Sequence, residues 1–356
     1  MSAGPVLDIR GLEVAFDTRR GVLPALRGVS FEIAAGEILG VVGESGAGKS
    51  LTGTAVIGLL EPPGRVAGGA VMLEGARIDG LDANAMRRIR GRRIGVVFQD
   101  PLTSLNPLIR VGDQLVETIR AHLPLDRTAA EARALALLKE VGIPAAEERI
   151  GQYPHQFSGG MRQRVVIALA LAADPILLVA DEPTTALDVS IQAQITSLIK
   201  RLCRERGMAV MLVTHDMGVI AETADRVAVM YAGRVVEIGP VAEVLRRPRH
   251  PYTAGLMASI PSMRRRNAAL AQIDGSMPRL DAMPQGCAFH PRCPKAEPAC
   301  RAAVPLLAEI VAGAQHGEGP RAEPGLRAAP SHRAACIHAD AASAAAFLPE
   351  AADVRA

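Results

Sequence analysis

Short unbroken apolar runs alternate with segments of helical period from residue 7 to about residue 245. The runs are Leu39 to Val42, Ile94 to Phe98, Ile176 to Asp181, Ala209 to Thr214 and Arg226 to Tyr231. Runs of this length without polar interruption predict strands buried on both faces, as in a parallel sheet. Leu7 to Phe16 alternates more loosely and predicts a strand that turns over Asp17 to Gly21, and Val29 to Ile33 and Ala70 to Glu74 predict two more. Pro62 to Gly69 is rich in Gly and Pro and reads as a loop. Helices are predicted over Leu51 to Leu60 and Ile191 to Arg206. Strands and helices in alternation mean an α/β fold.

Two stretches depart from that rhythm. From about 100 to 165 the pattern turns helical: Thr128-Ala129-Ala130-Glu131 reads as a capping box, and Leu135, Leu138 and Val141 form a stripe that stops at Gly142. This predicts a helical subdomain inserted into a core domain spanning residues 1–262. Beyond about 245 the periodicity dissolves, with a short helical piece from His250-Pro251-Tyr252 to Pro261. Residues 263–338 read as a cysteine-bearing C-terminal extension containing a mobile loop at 313–330, and the Ala-rich tail 339–356 is expected to be disordered. No internal repeat is visible.

The chemistry concentrates where apolar runs end. Gly43-Glu44-Ser45-Gly46-Ala47-Gly48-Lys49-Ser50 is a complete G-x-x-x-x-G-K-[ST] phosphate loop between a predicted strand and a helix that begins near Leu51. In that setting backbone N–H groups wrap phosphates, Lys49 reaches the β- and γ-phosphates of a nucleotide, and Ser50 ligates Mg²⁺. Asp181 closes another apolar run and is placed to hold Mg²⁺, with Glu182 next in line to orient or deprotonate a water. Gln99 and His215 end two further runs; Gln99 suits a Mg²⁺ or water ligand, and His215 a contact with the γ-phosphate. Ligands gather beyond the carboxyl ends of parallel strands, so these ends should share one crevice. Ser158-Gly159-Gly160 opens a second helix in the same style. One nucleotide does not need two such cradles in a chain, so the second is expected to close the phosphate loop of a partner subunit.

Composition narrows the setting. A net charge of +3 gives no basis for nucleic-acid binding, and no run approaches the roughly 20 apolar residues of a membrane span. The opening Ser2-Ala3-Gly4-Pro5 is not a secretion signal, so a cytosolic protein is expected. Five arginines between Arg87 and Arg93 read as a solvated face, the alternative being a role near phosphates or lipid headgroups. Four of the five cysteines, Cys287, Cys293, Cys300 and Cys336, fall in the last fifth of the chain, whereas Cys203 stands alone in a helical pattern. In a cytosolic protein such clustering favours a metal or cluster site over disulfides. The wide spacing disfavours zinc without excluding it, and reduced thiols stay open.

Taken in order, the phosphate loop, Gln99, Ser158-Gly159-Gly160, the strand ending in Asp181, then Glu182, Asp188 and His215 resemble the ATP-binding subunit of an ABC transporter over about residues 6 to 245. Phe157 stands where that family's signature usually opens with Leu. Phe98-Gln99-Asp100-Pro101, Tyr153-Pro154-His155-Gln156-Phe157, His250-Pro251-Tyr252-Thr253 and His290-Pro291-Arg292-Cys293 are similar to the dipeptide and oligopeptide importer branch. The resemblance implies an ATPase that powers peptide import, with Phe16 stacking on adenine and Asp188 in the D-loop. It implies a second ATPase subunit, a related chain rather than an identical one, two transmembrane permease subunits and an extracytoplasmic peptide-binding protein. The chain would then sit at the cytoplasmic face of the membrane. The resemblance also implies a [4Fe–4S] cluster on Cys287, Cys293, Cys300 and Cys336, with zinc the lesser expectation. Related members handle nickel chelates or glutathione. A DNA-repair ATPase would need long insertions, and only about 108 residues separate Ser50 from Ser158; a ribosome-associated protein would carry two cassettes.

Overall fold

The computed structural model describes residues 4–19, 21–185, 187–260, 272–310 and 331–339. The expected mobile loop at 313–330 and nearly all of the expected disordered tail lie outside the described residues. Among the described residues the strands form two sheets. The smaller is antiparallel, built from β1 (Leu7–Thr18), β2 (Gly21–Ile33), β4 (Gly64–Leu73) and β5 (Ala76–Arg77) in the order β2-β1-β4-β5. The larger takes β3 (Ile38–Val42), β6 (Ile94–Val97), β7 (Leu177–Asp181), β8 (Ala209–Val213), β9 (Arg226–Tyr231), β10 (Arg234–Pro240), β11 (Ala308–Glu309) and β12 (Arg333–Ala334). Its order is β11-β12-β10-β9-β3-β8-β7-β6. From β9 to β6 every pairing is parallel, whereas β10, β11 and β12 add antiparallel.

The parallel centre follows from the apolar runs. Every residue of β3, β8 and β9 is buried, because helices cover one face and the smaller sheet's core meets the other. Helices Val111–His122, Arg127–Glu140 and Gly159–Ala170 pack on one another and join the core on the helical face through Leu115, Ile119, Leu137 and Val166.

Several local expectations shift. The Pro62–Gly69 loop is mostly strand: β4 begins at Gly64 and pairs with β1 through a register break, where Gly69 at φ 81° lies against the backbone of Gly11. The helix after the phosphate loop starts at Lys49 and ends at Val56, earlier than predicted at both ends. Asp126, not Thr128, caps the Arg127–Glu140 helix by accepting from the Ala129 N–H at 2.8 Å. The arginine run divides: Arg87 and Arg88 are exposed as a solvated face, whereas Arg90 donates to Ile57 O, Arg92 to Ala173 O, and Arg93 pairs with Glu74.

The region after residue 245 is anchored by aromatic packing. Phe289 is 1% exposed and meets Tyr231 edge-on at 5.2 Å between ring centroids, with Tyr252 at 5.4 Å and His250 at 5.8 Å. Glu237, fully buried in β10, accepts from the N–H groups of Arg249 and His250 and pairs with His332 Nε2 at 2.7 Å.

Candidate functional site

The carboxyl ends of β3, β6, β7 and β8 lie at one edge of the large sheet, and each delivers a polar group there. After β3 the chain turns through Gly43 to Gly48 into the Lys49–Val56 helix. Two of the glycines are obligatory. At Gly43 (φ 153°) a Cβ would stand 2.3 Å from Met230 O, and at Gly48 (φ 101°) 2.7 Å from Leu26 Cδ2. Gly48 offers no side chain to cap the helix, so its first N–H groups stay open to an anion, as phosphate loops require.

Lys49 is 6% exposed, and its ammonium donates to the loop's own carbonyls, Gly43 O at 2.9 Å and Glu44 O at 3.0 Å. Burial lowers its pKa against the opposing pull of Glu182, Asp181 and Glu44, so a nearby polyanion would restore what burial costs. Ser50 Oγ donates to Asp181 Oδ1 at 2.9 Å. Burial pushes the Asp181 carboxyl above its ordinary range and the Glu182 charge adds to it, although the Ser50 bond and Lys49 oppose. A hydroxyl and a carboxylate in contact, oxygen donors only, fit a Mg²⁺ ion shared with phosphates.

Glu182 is the most heavily engaged side chain at this edge. Its backbone is left-handed (φ 47°), a conformation that costs a residue with a Cβ ~1–3 kcal/mol and is tolerated where surrounding contacts fix it. Its N–H donates to Val213 O at 2.8 Å. Gln99 Nε2 reaches Oε2 at 3.1 Å, Thr185 Oγ1 donates to the same oxygen at 2.9 Å, and His215 Nδ1 meets Oε1 at 3.1 Å. Burial works against the charged form, but the bonds from His215 and Thr185 outweigh it, so the carboxyl titrates below its ordinary value. An ionised carboxylate flanked by an exposed imidazole can hold and deprotonate a water.

The remaining predicted residues fall in three places. Phe16 is half-buried near the end of β1, its ring against Gly64. Ser158 caps the Gly159–Ala170 helix, accepting from Met161 N–H at 3.4 Å, while Gly160 lies so close to Ile191 that a Cβ would sit 2.6 Å from Cγ2. Asp188 caps the Val189–Arg206 helix through Ile191 N–H at 2.9 Å. Ser158, Gly159 and Asp188 are exposed. Thr185 was not among the predicted residues, although its place three positions after Glu182 could have flagged it. Tyr252 and Arg292 were also missed: both contact the phosphate loop from more than 200 residues away.

The expected [4Fe–4S] cluster, and zinc as its alternative, are overturned. Cys287, Cys293, Cys300 and Cys336 are free thiols. Among the described residues no group of three or more His, Cys, Asp or Glu side chains can hold a metal ion. The reason lies in their surroundings. Cys300 is buried, Cys287 and Cys293 pack on the hydrophobic core, and burial raises the thiols of Cys287, Cys293 and Cys336, the last to about 11. Burial of this kind disfavours the thiolate that ligation needs.

Residues 26–185 match the ABC transporter family model, and residues 236–300 match the oligopeptide/dipeptide transporter C-terminal region. A Brucella melitensis protein whose name assigns it provisionally to peptide import is 51% identical over 87% of this chain and 95% of its own length. The chain belongs to the ATP-binding subunits of ABC transporters. The dipeptide transport ATP-binding protein DppD of Bacillus subtilis is 49% identical over 83% of this chain and 88% of its own. The solved dimer of the ATP-binding cassette MJ0796 in a post-hydrolysis state, bound to ADP and Pi, superposes with a TM-score of 0.59 at 30% identity, over 66% of this chain and 98% of that one. This ABC subunit is therefore an ATP-hydrolysing enzyme on an α/β P-loop core. No helix among its described residues is long and apolar enough to cross a membrane.

Proposed function

We propose that ATP hydrolysis by this subunit powers the import of di- and oligopeptides, from the cytoplasmic face of a membrane to which permease subunits hold it. The observation that carries the cargo is the match of residues 236–300 to the oligopeptide/dipeptide transporter C-terminal region. Residues 1–262 act as the ATP-binding domain, with the helical subdomain at about 100–165, and 263–338 as the extension. The partners are a second, related cassette, two transmembrane permeases and an extracytoplasmic peptide-binding protein.

In this reading the loop from Gly43 to Leu51 wraps the triphosphate, Lys49 leaves its carbonyl partners for the β- and γ-phosphates, and Phe16 stacks on adenine. Ser50, Asp181 and Gln99 hold Mg²⁺, which supplies charge neutralisation on the phosphate oxygens. Glu182 takes a proton from the attacking water, and His215, in contact with Glu182, braces the γ-phosphate. Ser158, Gly159, Gly160 and Asp188 serve the second cassette's nucleotide; the exposure of Ser158, Gly159 and Asp188, and that of Val189 at 84%, leaves that face open to a partner. A groove of about 470 Å³ between helices Val111–His122 and Arg127–Glu140, lined by Val116, Leu135 and Ile150, suits a short helix of a permease. Leu108, 84% exposed, lies along the chain between Gln99 and Arg110, the first residue lining that groove.

The test is ATP turnover of the assembled complex in lipid vesicles, with its binding protein loaded in turn with peptides, glutathione or a nickel chelate. Stimulation by peptides supports the reading. Stimulation only by one of the others overturns the cargo and leaves the ATPase intact.

A further inference from the structure

Glu44, inside the phosphate loop, is held at three points, two of them by groups outside it. Its N–H donates to Tyr252 Oη at 2.8 Å, its carbonyl accepts from Lys49 Nζ at 3.0 Å, and its carboxylate Oε2 accepts from Arg292 Nη1 at 3.0 Å. Lys49 belongs to the loop's own helix, but Tyr252 and Arg292 come from the region after residue 245. Arg292 is not a solvated surface charge. Its side chain is 7% exposed, Nε donates to Asp274 O at 2.8 Å, Nη2 to Ile273 O at 3.1 Å, and Nη1 also faces Tyr231 Oη at 3.4 Å. Its guanidinium lies 5.8 Å from the Tyr231 ring centroid. The fork is thus fixed by backbone carbonyls and a ring before it touches Glu44. A buried, pre-aimed donor of this kind sets the position of its acceptor, which a flexible surface pair does not.

We propose that Arg292 is a positioning residue for nucleotide binding, acting through Glu44 on the phosphate loop and on Lys49. The inference rests on the ATP site described above and adds to it a dependence on the C-terminal region. With Glu44 held at its carboxylate and its N–H, its carbonyl is fixed as one of the two rests from which Lys49 swings to phosphate. Loss of the fork lets the loop relax, and nucleotide must then restore its shape on binding. The hydrogen bonds of Glu182 and His215 run to Gln99, Thr185, Val213 and each other and not to Glu44 or Arg292, so the effect falls on affinity and KM while kcat stays within about twofold.

The experiment is equilibrium binding of a fluorescent ATP analogue with Mg²⁺ to the full chain, for wild type, R292K, E44Q and the double variant, with melting curves for each. R292K keeps the charge and loses the fork, and we expect about five- to tenfold weaker binding. E44Q removes a negative charge near the triphosphate, so a simple field effect would tighten binding, whereas weakening the brace, whose charge-assisted bond to Arg292 becomes a neutral one, loosens it. In the double variant, R292K should add less than twofold to E44Q. Wild-type affinity in R292K, tighter binding in E44Q, or full additivity each overturn the proposal while wild-type binding leaves the ATP site standing. Should R292K fail to fold, the sign of the E44Q effect alone decides. Failure of the wild type to bind the analogue would overturn the ATP site and the proposal together.

Discussion

His250 should give this protein an acid-side loss of stability. Its ring is 1% exposed, and Nδ1 caps the Pro251–Ala258 helix by accepting from the Tyr252 N–H at 3.1 Å. A cap acceptor must be unprotonated, and burial lowers the His250 pKa from 6.5 to about 4 although Glu237 pulls the other way. The unfolded chain therefore binds a proton between these two values that the folded chain refuses, so stability falls as pH falls through this window. Above the unfolded value the contribution is complete. At pH 5 the loss is about 2 kcal/mol, and by pH 4 about 3 kcal/mol. H250N offers an amide oxygen for the same cap and does not titrate. The assay is urea unfolding of nucleotide-free wild type and H250N, followed by circular dichroism from about pH 7.5 to pH 5. Wild type should lose about 2 kcal/mol relative to H250N across that interval, whatever pH-independent cost the smaller side chain carries. A difference between the two that stays constant with pH would show that the buried ring does not resist protonation, and the reasoning would fail.

Two other variants probe the site and the sheet behind it. E182Q should keep ATP binding and cut turnover by about 10²–10⁴-fold, since the amide holds the bonds to Gln99 and Thr185 but takes no proton; turnover near wild type in the assembled complex would refute Glu182 as the base. G95A places a Cβ 2.4 Å from Ala170 O, a backbone atom that cannot step aside, so it should cost about 1–3 kcal/mol in a denaturant titration.

The parts of the fold that the sequence made legible were those where one physical demand dominates. Strands β3, β7 and β8 are buried on both faces, so their apolar runs admit no other reading, and the polar residues that end them fall at one edge by topology alone. The phosphate loop was legible for the same reason, because Gly43 leaves no room for a side chain and Gly48 takes a left-handed φ that side chains rarely adopt. Strand β4 was not, because Gly68 and Gly69 sit at a register break where the chain must pass close to β1, and such glycines read locally as a turn. Arg87 and Arg88 form the exposed face that their charge suggests, but the anchoring of Arg90 and Arg92 was not legible, because the backbone carbonyls that receive them lie 33 and 81 residues away and leave no trace in composition. The cysteines misled in the opposite sense. Their clustering in the chain is real, but thiols against an apolar core serve as small packing groups. The pairing of Arg292 with Glu44 across 248 residues lies beyond any local rule.

The outer flank of β10 is covered by β12, which registers Ala334 against Glu237 and Arg333 against Ile238. Those covering residues are synthesised some 90 positions after β10 is complete. At about 5–20 residues per second a nascent chain spends roughly 5–20 s with that flank bare, offering N–H and C=O groups to any neighbouring strand on a polysome. Any chaperone requirement of this protein should therefore centre on that interval and fade once residue 334 has emerged. A truncated chain ending before Arg333 would keep its catalytic groups and carry the bare edge permanently, so solubility, ahead of chemistry, is the property expected to suffer.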